Sequence, residues 1–125
     1  MTSKDNLINW LEIPVTDISR AMKFYESVLD TKLELMEMMG APYAVFPYEP
    51  GSGKISGALA QGDMYKPSAD GVRIYLNCPD IEATLIKVGE AGGKVILPKT
   101  KIEDQGYMAF FSDSEGNTIG MHSNK

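Results

Sequence analysis

The chain has 125 residues, 43% of them apolar and 23% charged, with a formal net charge of -5. That length suits a single domain with its own core. The acidic balance, with no Lys/Arg-rich run, argues against nucleic acid as a partner, because phosphate binding needs clustered cations. No apolar stretch reaches the length of a membrane span, and no signal-peptide core is visible. Cys78 is the only cysteine, so an intrachain disulfide is impossible and a reducing, cytoplasmic location is expected.

Leu7 to Val15 reads as a strand, with Leu11, Ile13 and Val15 alternating against Trp10, Glu12 and Pro14. Asp17 stands where a helix N-cap is wanted. From there Ile18, Ala21, Met22, Tyr25, Val28 and Leu29 form one helical stripe, ended by Asp30-Thr31. Three strands follow, Lys32 to Met39, Ala41 to Tyr48 and Lys54 to Gln61, with Gly40-Ala41-Pro42 and Glu49 to Gly53 as the turns between them. Gly62 to Gly71 is turn-rich and reads as a connector.

The same order then starts again. Val72, Ile74 and Leu76 alternate with Arg73, Tyr75 and Asn77, and Asp80 takes the N-cap position. Ile81, Leu85 and Val88 continue as a helical stripe that Gly89 to Gly93 closes. Lys94 to Leu97, Tyr107 to Ser112 and Thr118 to Ser123 are the three remaining strands, and Pro98 to Gly106 reads as a long loop. Asp80 lies 63 residues after Asp17. That offset places Trp10 over Arg73, Leu11 over Ile74, Glu12 over Tyr75 and Ile13 over Leu76. The apolar face repeats while the opposite face changes chemistry, as in a duplicated scaffold with a diverged site.

The expected fold is therefore α+β: two tandem βαβββ modules forming curved mixed sheets around a cavity. Module one spans 6–61, the connector 62–71 and module two 72–123, within one domain of 1–125. Each helix covers one face of its own sheet, Leu11, Ile13 and Val15 facing the first helix and Val72, Ile74 and Leu76 the second. The other faces are left to line the cavity, which is the natural ligand site.

The candidate binding residues are Trp10, Glu12, Tyr43, Phe46, Arg73, Tyr75, Met108, Phe110 and His122. Trp10, the only tryptophan, either stacks on a planar ligand or fills the cavity itself. Arg73 either clamps a carboxylate or phosphate or pairs with Glu12. Glu12 and His122, the sole histidine, are the two candidates for acid–base work. Tyr43, Phe46, Met108 and Phe110, on the middle strands, are either core or cavity wall. The run from Met36 to Met39 is either ordinary strand packing or adaptable surface for an apolar ligand or a partner subunit, with strand packing preferred.

The segment Ile8 to Asp17 with the Phe24-Tyr25 helix, together with Asn77 to Ala83, Glu90 to Val95 and Phe111 to Asn117, resembles the vicinal oxygen chelate superfamily of glyoxalases, bleomycin resistance proteins and dioxygenases. The turn Asp113-Ser114-Glu115-Gly116-Asn117 is similar to that family's Asp-Pro-x-Gly-Asn turn, with Ser114 in place of Pro. The resemblance implies the fold given above and a homodimer. It also implies a place for a divalent metal, whose ligand positions fall here on Trp10, Arg73 and Gly120, with a fourth near Gly57 or Ala58. None of these side chains is a metal ligand, so no metal cofactor is expected. The function expected is metal-independent binding of a small organic molecule. The alternatives are a lactoylglutathione-lyase-related lyase or isomerase, using a displaced metal or Glu12 and His122, and a non-catalytic dimeric assembly module.

Overall fold

A computed structural model describes residues 1–125, and the strand–helix–three-strand order occurs in it twice. Module one consists of β1 (Leu11–Val15), α1 (Ile18–Leu29), β2 (Glu34–Met38), β3 (Ala41–Val45) and β4 (Gly57–Gln61). Module two consists of β5 (Tyr75–Asn77), α2 (Ile81–Glu90), β6 (Lys94–Lys101), β7 (Tyr107–Ser112) and β8 (Thr118–Ser123). The sheets have corresponding orders, β1-β4-β3-β2 and β5-β8-β7-β6. In each, the first strand pairs in parallel with the last and the remaining pairs are antiparallel.

Both helices start at the expected aspartates: Asp17 accepts from the Arg20 N–H and Asp80 from the Ala83 N–H, satisfying donors that the helix leaves free. α1 ends at Asp30, which adopts φ 50 and ψ 56 and donates its N–H to the Glu26 carbonyl. Its buried stripe is Ile18, Ala21, Phe24, Tyr25 and Val28. Phe24, absent from the expected stripe, is only 2% exposed, while Met22 and Leu29 flank the core partly buried.

Strand ends differ from expectation where backbone pairing, which side-chain alternation does not report, runs out. β1 begins at Leu11 rather than Leu7, and Leu7 and Ile8 are exposed. β5 is only three residues long; Val72 is exposed, so Ile74 and Leu76 alone carry its apolar face to the core. β2 lies within the expected Lys32–Met39 and is exposed along its length. β3 stops at Val45, before Pro47, and β4 starts at Gly57 rather than Lys54. β6 instead runs on through Pro98 to Lys101, so the loop shrinks to 102–106. An edge strand tolerates this proline because the ladder shifts register between Leu97 and Thr100, where no proline N–H is needed.

Each helix packs over its own sheet, and the two helices also pack on each other. One cluster of 17 buried residues runs through both modules, including Ile13, Val15, Phe24 and Tyr25 from the first and Ile81, Val88, Phe111 and Met121 from the second. Phe24 reaches across to Phe111, with ring centroids 6.0 Å apart. A Cβ at Gly93 would lie 2.8 Å from the Phe24 ring, so this glycine admits the contact.

The turn from Asp113 to Asn117 locks the modules together. The buried Asp113 carboxylate accepts from the Tyr25 hydroxyl at 2.6 Å, from the Asn117 side chain and from the Glu115 and Asn117 N–H groups. Burial, then the Asp113 charge, pushes the Tyr25 phenol well above its ordinary range. The Asn117 amide donates to the Pro14 carbonyl and accepts from the Ser68 N–H, joining β1 and the connector to the same turn. Glu115 accepts from the N–H groups of Thr16 and Asp17 and pairs with Arg20, capping α1 from the other module.

Candidate functional site

β1 and β5 are edge strands of separate sheets, and the seam between them opens into a cleft of about 850 Å³. Residues from Ile8 to Pro14 form one wall and residues from Gly71 to Asn77 the other, with Lys66, Ser68 and Asn117 at the margin. Alternation along β1 turns Ile13 and Val15 into the core and leaves Glu12 exposed, as the sequence pattern predicts.

On the first wall a directed chain of hydrogen bonds holds Trp10, Tyr43 and Glu12 together. The Trp10 indole N–H donates to the Tyr43 hydroxyl at 2.8 Å, and that hydroxyl donates to Glu12 Oε2 at 2.6 Å. Indole is a donor only and a carboxylate an acceptor, so the direction of the chain is fixed. Burial, then the bond to Glu12, pushes the Tyr43 phenol up to about 12. Tyr65 is raised as well, chiefly by hydrogen bonding to the same carboxylate. Ala58 and Ala60, fully buried beneath, leave room for these rings, and the Trp10 ring meets Tyr48 edge-on at 5.0 Å.

On the second wall the Arg73 guanidinium lies 4.5 Å from the centre of the Phe110 ring, and Tyr75 packs against the same ring at 5.9 Å. Gly120 is required here: a Cβ would sit 2.7 Å from the Tyr75 ring. The Arg73 Nε is buried with no hydrogen-bond partner. Arg73 forms no salt bridge, so the pairing with Glu12 considered from the sequence does not occur, although both residues line the cleft.

Two other expectations separate. Tyr43 and Phe46 do not share a face: Tyr43 and Val45 pack with Trp10, whereas Ala44 and Phe46 join the core beneath the helices, Phe46 meeting Tyr25 at 5.8 Å. An odd spacing along an extended strand turns side chains to opposite faces. Phe46 instead lines a second opening of about 620 Å³ on the helix side, with Val28, Leu76, Cys78 and Thr84. Glu12 and His122 also part. Met108 and His122 are cross-strand partners on module two, the His122 Nε2 lies 2.6 Å from the Gln105 carbonyl, and His122 borders a separate hollow beside Asn77 and Pro79. No hydrogen bond or salt bridge links it to Glu12. Cys78 is buried, its thiol 3.2 Å from the Thr84 hydroxyl.

Tyr65 and Lys66 escape sequence reasoning, because a turn-rich connector reads as passive. An aromatic beside a lysine within it was the one available signal.

The positions that resemblance gives to metal ligands do not fit a divalent ion. Trp10 is bound to Tyr43, Arg73 stays cationic over Phe110, and the space beside Gly120 is taken by Tyr75. At Gly57 even a Cβ would collide with the Leu11 carbonyl. Nowhere do three His, Cys, Asp or Glu side chains come together as a metal-holding group.

The sequence profile of the Glyoxalase/Bleomycin resistance protein/Dioxygenase superfamily matches residues 7–121. The chain belongs to this superfamily. CFP32 of Mycobacterium tuberculosis, which carries a glyoxylase name, is 30% identical over 124 residues, and the match takes in 90% of this chain but only 44% of that protein. The chain thus spans less than half the length of that relative. A glyoxylase-like domain-containing protein of Didymella fabae is also 30% identical, over 122 residues, covering 89% of this chain and 88% of the relative. Among solved structures, a glyoxalase/bleomycin resistance protein from Albidiferax ferrireducens superposes with a TM-score of 0.72 at 14% identity, covering 96% of this chain and all of the other. TnmS3, an antibiotic binding protein from a Streptomyces species, does so with a TM-score of 0.70 at 21% identity, over 99% of this chain and 100% of that one. At such identities these superpositions speak for the glyoxalase/bleomycin resistance fold. No helix is long and apolar enough to cross a membrane.

Proposed function

We propose that this superfamily member binds a small, partly apolar organic molecule in the β1–β5 cleft without a metal ion. The observation that carries the reading is the cleft itself: an indole, a carboxylate and an arginine that does not pair with that carboxylate face a shared space of about 850 Å³. They stand on or beside the positions from which metal ligands would have to come. The antibiotic-binding fold neighbour supports the reading by analogy alone. Binding suffices for sequestration, with no bond made or broken. The proposal extends to a homodimer, supported by the exposed Leu35, Met36 and Met39 at the β2 edge, and to a cytoplasmic location, drawn from the single unpaired Cys78.

Trp10 is the reporter. Titration of a panel of aromatic and heteroaromatic compounds should change Trp10 emission saturably, and the change should persist in chelator-treated protein. Tightly bound stoichiometric metal in the purified protein, or binding that chelator abolishes, would refute the metal-free reading. Emission that no compound in the panel alters would refute binding in this cleft.

A further inference from the structure

We infer that the cleft selects planar organic acids, with Arg73 as the residue that reads the ligand's acid group. The inference deepens the proposed binding function and rests on it.

Arginine is the side chain least tolerant of being left alone, since it carries five donors and a permanent charge. Here it has no salt bridge, and its Nε is buried with no hydrogen-bond partner. A buried donor without an acceptor is a cost to the free protein, and such exceptions call for an explanation. Solvation by a neighbouring carboxylate would have removed that cost. Glu12 lines the same cleft, yet it is engaged by Tyr43 on the opposite wall and does not reach Arg73. The guanidinium carbon instead lies 4.5 Å from the centre of the Phe110 ring, and Phe110 is in turn braced by Tyr75 above Gly120. A guanidinium holds its donor edges in one plane, which suits a carboxylate approaching edge-on. Lys66 borders the same space and adds a second positive charge from the connector.

The two walls therefore ask for different ends of one molecule. At the Arg73 end the guanidinium lines the cleft without a carboxylate partner, and its fork suits a planar anionic acceptor. At the other end the Glu12 carboxylate takes the Tyr43 hydroxyl on Oε2, and an acceptor of this kind favours a ligand hydroxyl or amine. Trp10 and Tyr75, one on each wall, supply flat apolar surface to the same cleft, which suits an aromatic body. A planar aromatic carboxylic acid with a donor at its far end meets all three demands.

Two probes of equal shape, 6-hydroxy-2-naphthoate and 6-hydroxy-2-naphthamide, test this by calorimetric titration of the full chain. The acid should bind at least about tenfold more tightly than the amide, as a charge-assisted pair implies. Added sodium chloride should weaken the acid and leave the amide nearly unchanged. Arg73→Met should bring the two affinities together, and Arg73→Lys, which keeps charge but not the fork, should retain part of the preference. The salt comparison needs no variant, so it tests the selection of the acid even if Arg73→Met fails to fold, and Arg73→Lys then tests the part played by Arg73. Equal binding of acid and amide by the natural chain, or a full preference surviving in folded Arg73→Met, would overturn the role of Arg73 while leaving the cleft a binding site. Failure of both probes to bind would overturn this inference, while the panel titration of Trp10 emission decides the binding function separately.

Discussion

Removing the Glu115 carboxylate tests how the two modules are held. The side chain is fully buried and belongs to module two, yet its bonds go to the start of α1 in module one. Oε1 accepts from the Thr16 N–H at 2.8 Å, the Thr16 hydroxyl at 2.9 Å and the Asp17 N–H at 2.9 Å, and Arg20 closes the carboxylate at 2.7 and 2.9 Å. Glu115→Ala strands two backbone donors, each worth about 1 kcal/mol when partly reachable by water, and also loses the bonds to the exposed Arg20. The two donors alone, about 2 kcal/mol, correspond to a fall in Tm of roughly 7 °C for a chain of this size. Burial alone would push the carboxyl up, but the bonds from Arg20, Asp17 and Thr16 outweigh it and hold the group at about 2, below its ordinary 4.5. A carboxylate with a depressed folded-state pKa stabilises the fold above the unfolded value and stops doing so as pH falls through the folded one. The Tm difference between the natural chain and Glu115→Gln, followed by circular dichroism, should therefore be full above pH 4.5 and shrink as pH falls towards 2. A fall in Tm for Glu115→Ala below roughly 3 °C, or a difference that does not vary over that pH range, would refute the account of the clamp.

Other consequences can be measured on the same protein. Tyr25→Phe removes the donor 2.6 Å from the buried Asp113 and should cost about 2 kcal/mol in urea unfolding, with the m-value unchanged. Gly120→Ala drives a methyl into the Tyr75 ring and should destabilise by about 1–3 kcal/mol while weakening ligand binding at the Arg73 wall. Tyr43, with its phenol held near 12 above an ordinary 10, stabilises the fold fully below pH 10, and that contribution should be lost as pH rises through 12. Tyr43→Phe should remove the Tyr43 share of the alkaline limb of the Tm–pH curve, leaving that of Tyr25 and Tyr65, and shift Trp10 emission.

Much of the fold was legible because it rests on local signals that repeat. Asp17 and Asp80 cap both helices, and the two-residue alternation in β1 correctly sends Ile13 and Val15 inward. The helical stripe of α1 was nearly complete, lacking only Phe24, whose partner Phe111 is supplied by the other module. Non-local effects were illegible. Nothing near Pro98 announces that a register shift lets β6 continue through it. The turn motif at Asp113 was visible, but its partners Tyr25, Pro14 and Ser68 are brought to it only by folding. Phe46 is a different case: the spacing from Tyr43 already placed it on the other face.

For the candidate site, sequence identified side-chain types at the walls but not their pairing. Trp10 and Glu12 share β1, yet the hydroxyl that joins them comes from β3. Under the internal repeat Arg73 falls on position 10, two residues from Glu12 and on the same face, which made an ion pair attractive. The seam between β1 and β5 keeps them from pairing. That separation turns two opposite charges from a structural contact into a pair of features available to a ligand.

The most direct measurement is an amide and side-chain NMR titration of chelator-treated protein with 6-hydroxy-2-naphthoate. Binding in the β1–β5 cleft predicts that shifts cluster at the Trp10 indole, Glu12, Arg73, Tyr75 and Asn117 and are unchanged when magnesium or zinc is restored. Shifts centred on Val28, Cys78 and Thr84 at the helix-side opening, or shifts that appear only with metal, would contradict it.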